Sequence, residues 1–136
     1  MEKKVTAIIE KDASGYSVYT PDIEGSTIIG EGKTVAEAKA DFFNSVEEVK
    51  NMYTEEGKKL PEWLKDADFE FKYDISSVFN EYSFINVSKF AALIGISPSL
   101  MRHYKAGDTY ISATQAQKIQ DGLHGLAKKL ASVNIM

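Results

Sequence analysis

Asn86–Gly107 reads NVSKFAALIGISPSLMRHYKAG, and this stretch decides the fold because it spells two short helices and the turn between them. Asn86 offers a side-chain oxygen to cap the first helix, and Gly95 offers the left-handed residue that stops it. Phe90, Ala91, Leu93 and Ile94 recur at helical spacing between these signals, which predicts a buried face. Ile96 continues that core across the turn. Ser97 followed by Pro98 restarts a helix: an oxygen for the free N–H groups, then a residue whose missing N–H costs nothing in the first turn. The second helix is expected to bury Leu100, Met101 and Tyr104 and to end at Gly107. Its other face carries Ser99, Arg102, His103 and Lys105.

Short polar and cationic side chains on an exposed helix face suit phosphates and base edges. The pattern is that of a helix-turn-helix, with the second helix as the reader. The plainer reading is a helical hairpin inside some all-α domain. A three-residue turn, start signals on both helices and a cationic second helix favour DNA binding over it. Gly95–Gly107, GISPSLMRHYKAG, also resembles the phage-repressor type of helix-turn-helix. That resemblance implies that Pro98, Ser99, Arg102 and His103 face the major groove, with no Gln or Asn among them. The candidate DNA-binding residues are therefore Ser97, Pro98, Ser99, Arg102, His103 and Lys105.

Around this stretch, 136 residues suffice for one ordinary domain or two small ones. A composition of 43% hydrophobic and 26% charged residues is that of a globular chain rather than a disordered one. No apolar run approaches bilayer length, and MEKKVTAIIEKD lacks the sustained apolar core of a signal peptide, so a cytoplasmic protein away from membranes is expected. Zero cysteines exclude disulfides, zinc fingers and thiol chemistry. Charge is segregated: Met1–Glu81 holds ten Lys/Arg against eighteen Asp/Glu, a net of −8, and Tyr82–Met136 holds six against two, a net of +4. A basic rear half suits a phosphate backbone and an acidic front half suits a cationic partner.

In the front half, Lys4–Glu10 and Tyr16–Thr20 read as strands joined by the turn cluster Asp12–Gly15. A third short strand is expected at Ser26–Ile29, with Gly30-Glu31-Gly32 turning the chain afterwards. Thr34-Val35-Ala36-Glu37 is a capping box that opens a helix to about Glu56. Val35, Ala38, Phe42, Val46, Val49 and Tyr53 form its apolar stripe. Glu62–Asp66 forms a short turn around Trp63, expected to lie as a lid on the core, and Phe69–Ile75 alternates as a returning strand. A three-strand meander, a helix and a returning strand make a small α+β layer in residues 1–75. Residues 76–136 then form an all-α unit that starts with a short helix at Val78–Tyr82. Ser112-Ala113-Thr114-Gln115 opens its last helix, running to about Ala131. Ala116, Ile119, Leu123, Leu126 and Leu130 line one side of that helix, and Gly122 and Gly125 allow another helix to approach closely, such as one from a second subunit.

The front half resembles the HicB family of bacterial antitoxins. The matching features are VTAIIEKD, Gly15 followed by Tyr-Ser-Val, Pro21-Asp22-Ile23-Glu24-Gly25, and Gly30-Glu31-Gly32-Lys33-Thr34 leading into Ala36-Glu37-Ala38. Together they cover most of residues 3–57, and Ser26 stands where the family often has cysteine. The resemblance implies a partial RNase H-like fold that inhibits a small RNA-cleaving toxin, HicA. Many members carry a C-terminal DNA-binding domain and repress their own operon, which the helix-turn-helix fits independently. Partners implied are thus a HicA-like toxin, operator DNA and a second copy of the chain, since such modules pair to read two half-sites.

Catalysis has weaker support. Glu10, Asp12, Asp22 and Glu24 are candidate metal ligands for a nuclease, but such chemistry needs carboxylates that converge. Asp12 and Glu24 fall in turns, where acids are usually just solvated. His103 and His124 lack a context that would orient a nucleophile. Gly30–Gly32 lacks phosphate-loop spacing. No enzyme activity, cofactor or metal is expected. The alternative to an antitoxin is a solitary transcription regulator whose front domain binds another protein or a small ligand.

Overall fold

A run rich in β-branched residues, Val5, Thr6, Ile8 and Ile9, forms strand β1 (Lys4–Asp12), which pairs antiparallel with β2 (Gly15–Tyr19). Asp12 shapes the turn between them by accepting hydrogen bonds from the Ser14 N–H at 2.8 Å and its hydroxyl at 2.9 Å. β2 pairs antiparallel with β3 (Ile29–Gly32), and β4 (Asp68–Asp74) lies parallel to β1 on its other side. The sheet order is β3-β2-β1-β4, a mixed four-stranded sheet. The computed structural model describes residues 4–21, 23 and 27–136. Asp22, Glu24, Gly25 and Ser26, which belong to the family-like motif and to the candidate metal ligands, lie outside the described residues.

Helix α1 (Val35–Glu55) covers one face of the sheet. Thr34 Oγ1 accepts the Glu37 N–H at 3.1 Å, and Glu37 Oε2 accepts the Lys33 N–H at 2.9 Å, one residue before the cap itself. Ala38, Phe42 and Val46 are buried against Ala7, Ile9 and Val18. The Phe42 ring meets Phe69 edge-on at 5.0 Å and Phe71 at 6.1 Å, contacts worth about 0.5–1.5 kcal/mol each beyond their area. Trp63, in α2 (Glu62–Lys65), is half-buried against this cluster, and Leu64 beside it is fully buried.

The third strand begins later than the turn-rich sequence predicts. Gly30-Glu31-Gly32 is strand rather than turn. A Cβ on Gly30 would lie 2.2 Å from the Phe42 nitrogen, so glycine is there to let α1 press onto the sheet.

The rear half contains α3 (Ser76–Glu81), α4 (Val87–Ile94), α5 (Pro98–Ala106) and α6 (Ala113–Ala131). Phe79, Val87, Phe90, Ala91, Ile96, Met101, Tyr104, Ile111 and Ile119 form a second buried cluster. Leu93, assigned to this core by its spacing, is 58% exposed instead, because Phe90, Ala91 and Ile94 already fill the inward side. A Cβ on Gly122 would stand 2.5 Å from Ile94 Cγ2, so this glycine serves packing of α4 on α6 within one chain. Around Gly125 there is open space, and Leu130 is 61% exposed.

The two clusters meet at Tyr73, which packs against both. Its N–H donates to the Ile111 carbonyl at 2.8 Å and its carbonyl accepts the Ile111 N–H at 2.9 Å. Lys11 Nζ also reaches Glu81 Oε2 at 2.8 Å, tying β1 to α3. The chain is thus mixed α+β, and no helix among the described residues is long and apolar enough to cross a membrane.

Candidate nucleic-acid interface

The two-helix unit is built by the local signals of its sequence. Asn86 Oδ1 accepts the Lys89 N–H at 3.0 Å and starts α4. Gly95 stops it with φ +78°, a conformation that costs any residue with a Cβ roughly 1–2 kcal/mol. The freed carbonyl of Gly95 accepts Lys118 Nζ from α6 at 3.1 Å, placing a cation at the negative end of α4. Ile96 is buried in the turn, and its N–H donates to the Ala91 carbonyl at 2.9 Å. Ser97 Oγ then accepts the Leu100 N–H at 3.4 Å, with Pro98 as the first residue of α5. The turn is Gly95–Ser97, three residues.

Met101 and Tyr104 are buried and Leu100 is half-buried, which fixes the rotation of α5. Ser97, Pro98, Ser99, Arg102 and His103 are exposed on its outward side, and Lys105 is half-buried. Five of the six residues singled out from the sequence thus share a solvent-facing surface at the start and middle of α5. Lys105 sits at its margin.

Two neighbours of that surface escape a reading of α5 alone. Arg102 Nη1 donates to Ser88 Oγ on α4 at 3.0 Å. His103 Nδ1 lies 3.1 Å from both carboxylate oxygens of Asp108, just beyond the end of α5. Ser88 adds a hydroxyl to the surface, and Asp108 adds an anion that orients the imidazole and locally opposes phosphate. Asp108 follows a helix-ending glycine, a signal that marks a chain reversal but not a contact five residues back.

The carboxylates of the front half serve other ends. Glu10 points to the sheet face opposite α1, and its pKa is raised, first by burial and then by the neighbouring carboxylates of Asp74 and Asp12, with Ser17 partly offsetting them. Asp12 is held below the usual carboxylate range by the Ser14 hydroxyl and N–H. Burial, helped by Glu10 and Tyr110, pushes the Tyr19 phenol up to about 12. Among the described residues, no three His, Asp or Glu side chains are grouped as metal ligands would be. Comparison with protein-family models, with curated proteins and with solved structures gives no match to this chain.

Proposed function

We propose that the chain is an antitoxin that neutralises a HicA-like, mRNA-cleaving toxin through residues 1–75. Residues 76–136 are a helix-turn-helix that represses the chain's own operon. The observation that carries this reading is the outward face of α5, where Ser99, Arg102 and His103 stand exposed behind a glycine-stopped, serine-capped turn. The front half supports its part by its net charge of −8, which suits a basic toxin, and by its meander, helix and parallel returning strand, which suit a partial RNase H-like fold. Neutralisation by binding needs no catalytic group, cofactor or metal.

Two half-sites need two reading helices. Leu126 and Leu130 near the end of α6, with Val133 just beyond it, are where a second copy would pair beside the DNA. The test is co-expression with a short basic protein encoded beside this gene, read as growth rescue. Rescue that survives Arg102→Ala supports division of labour between the halves. Absence of both a basic neighbour and any rescue refutes the antitoxin reading.

A solitary regulator answering to a small ligand is the second reading, favoured by a cleft of about 420 Å³ where the sheet meets α6. Tyr16, Val35, Tyr73, Ile75, Phe79 and Leu123 line it, with Gln120 and His124 as polar groups. This reading requires operator binding that changes with a metabolite and is indifferent to any neighbouring gene product.

A further inference from the structure

The two edges of the sheet are finished differently. On β3, the outward N–H of Glu31 donates to Asp41 Oδ2 at 2.8 Å and the outward carbonyl of Ile29 accepts Ser45 Oγ at 2.9 Å, so α1 side chains occupy that edge. On β4, Tyr73 has its outward N–H and carbonyl on Ile111. N–H and C=O directions alternate along a strand, so Phe71 and Phe69 also face outward, and among the described residues their outward groups have no partner. β4 holds neither proline nor bulge against β1, and the charges that guard it, Asp68, Glu70 and Lys72, alternate with the phenylalanines on the sheet face away from α1. Phe43, 45% exposed, lies edge-on to Phe69 at 6.1 Å and to Phe71 at 5.9 Å, leaving an aromatic shelf beside the free edge.

We propose that a second copy of this chain adds to β4, the two strands running antiparallel about a two-fold axis at Glu70, so that two four-stranded sheets become one of eight. The free run is Asp68–Lys72, because Tyr73 is already taken by Ile111, and the centre of that run is Glu70. Pairing there exchanges four backbone hydrogen bonds, between Phe69 and Phe71 of the second copy and the reverse. It sets Phe69 against Phe71 of the second copy on the α1 side, extending the aromatic cluster across the axis. On the other side Asp68 meets Lys72 of the second copy, twice, and these two attractive pairs flank Glu70, which meets its own copy as a single like-charge pair that Glu70→Cys removes. The row is self-complementary at its ends, which selects a copy of this chain over an unrelated strand. The contact is isologous and distinct from the pairing at the end of α6, so the two together make an assembly larger than a dimer.

Directly opposed residues of a non-hydrogen-bonded antiparallel pair have Cα atoms about 4.5 Å apart, within disulfide reach. The chain has no cysteine, so Glu70→Cys places a single thiol on the axis. Under mild oxidation, full-length Glu70→Cys gives a disulfide-linked dimer far faster than Glu48→Cys, which is on the exposed side of α1. Adding Lys72→Glu lowers the cross-linking rate about tenfold, and adding Asp68→Lys as well restores it. Recovery in the double reversal separates loss of pairing from loss of folding. Equal rates for Glu70→Cys and Glu48→Cys, or a rate indifferent to both charge reversals, overturn the proposal.

Discussion

Arg102 on α5 is held by Ser88 on α4, its Nη1 donating to Ser88 Oγ at 3.0 Å across the outer ridge of the two helices. An arginine side chain loses considerable rotamer freedom when it is fixed on a ligand, and a pre-formed hydrogen bond reduces that cost. Since α4 begins one residue before Ser88, the bond also holds the guanidinium beside a helix start, where anions are favoured. Ser88→Ala should therefore weaken DNA binding by about 0.5–1.5 kcal/mol, less than Arg102→Ala, because it removes only the support. Thermal melts of Ser88→Ala should match the wild type. A Ser88→Ala chain that binds as the parent does would show that the bond carries nothing for recognition.

The two glycines of α6 should respond oppositely to alanine. Gly122→Ala puts a methyl 2.5 Å from Ile94 Cγ2, and overpacking of about 1–3 kcal/mol outweighs or cancels the helix-propensity gain of about 1 kcal/mol. Gly125→Ala meets nothing within 4 Å and keeps that gain. Urea unfolding of the two variants should move the midpoint down or leave it level for Gly122→Ala, and up for Gly125→Ala.

Stability should depend on pH through the sheet face opposite α1. The folded state raises the Glu10 pKa above 4.5, so it binds that proton more tightly than the unfolded chain and loses stability as pH rises through that window. Charged Glu10 is then a liability at neutral pH. Glu10→Gln should raise the melting temperature at pH 7, with the gain vanishing below 4.5. At the other end, Tyr19 moves from 10 up to about 12 through burial, so its contribution is full below pH 10 and lost as pH climbs to 12. Tyr19→Phe should flatten the alkaline limb of the stability curve, which absorbance-monitored melts would record.

How much could be read in advance follows the range of the interactions. Asn86, Ser97 and Ser112 each bond an N–H three residues on, and such caps are written in adjacent letters. The same holds for Gly95. By contrast, Gly30 and Gly32 look like turn residues, and only the approach of Phe42 and Ala38 shows that they are strand positions under a helix. Leu93 fits the helical period yet is exposed, since period alone does not say how wide a buried stripe must be. Around the candidate interface, the outward face of α5 was legible from periodicity. The contacts of Arg102 with Ser88 and of Gly95 with Lys118 join residues 14 and 23 positions apart, and no local pattern announces them.

On the proposed function, the outward face of α5 reads DNA. Its most direct test is a fluorescence-anisotropy titration of the DNA upstream of the gene with full-length protein, Arg102→Ala and Lys105→Ala at several salt concentrations. Arg102→Ala is predicted to lose about 1–3 kcal/mol of affinity and to relax preference at one position of each half-site. Lys105→Ala should weaken binding evenly across sequences and lower the salt slope by about one unit per subunit. Binding by Arg102→Ala that is indistinguishable from the wild type at every salt concentration would mean that the outward face of α5 does not read DNA.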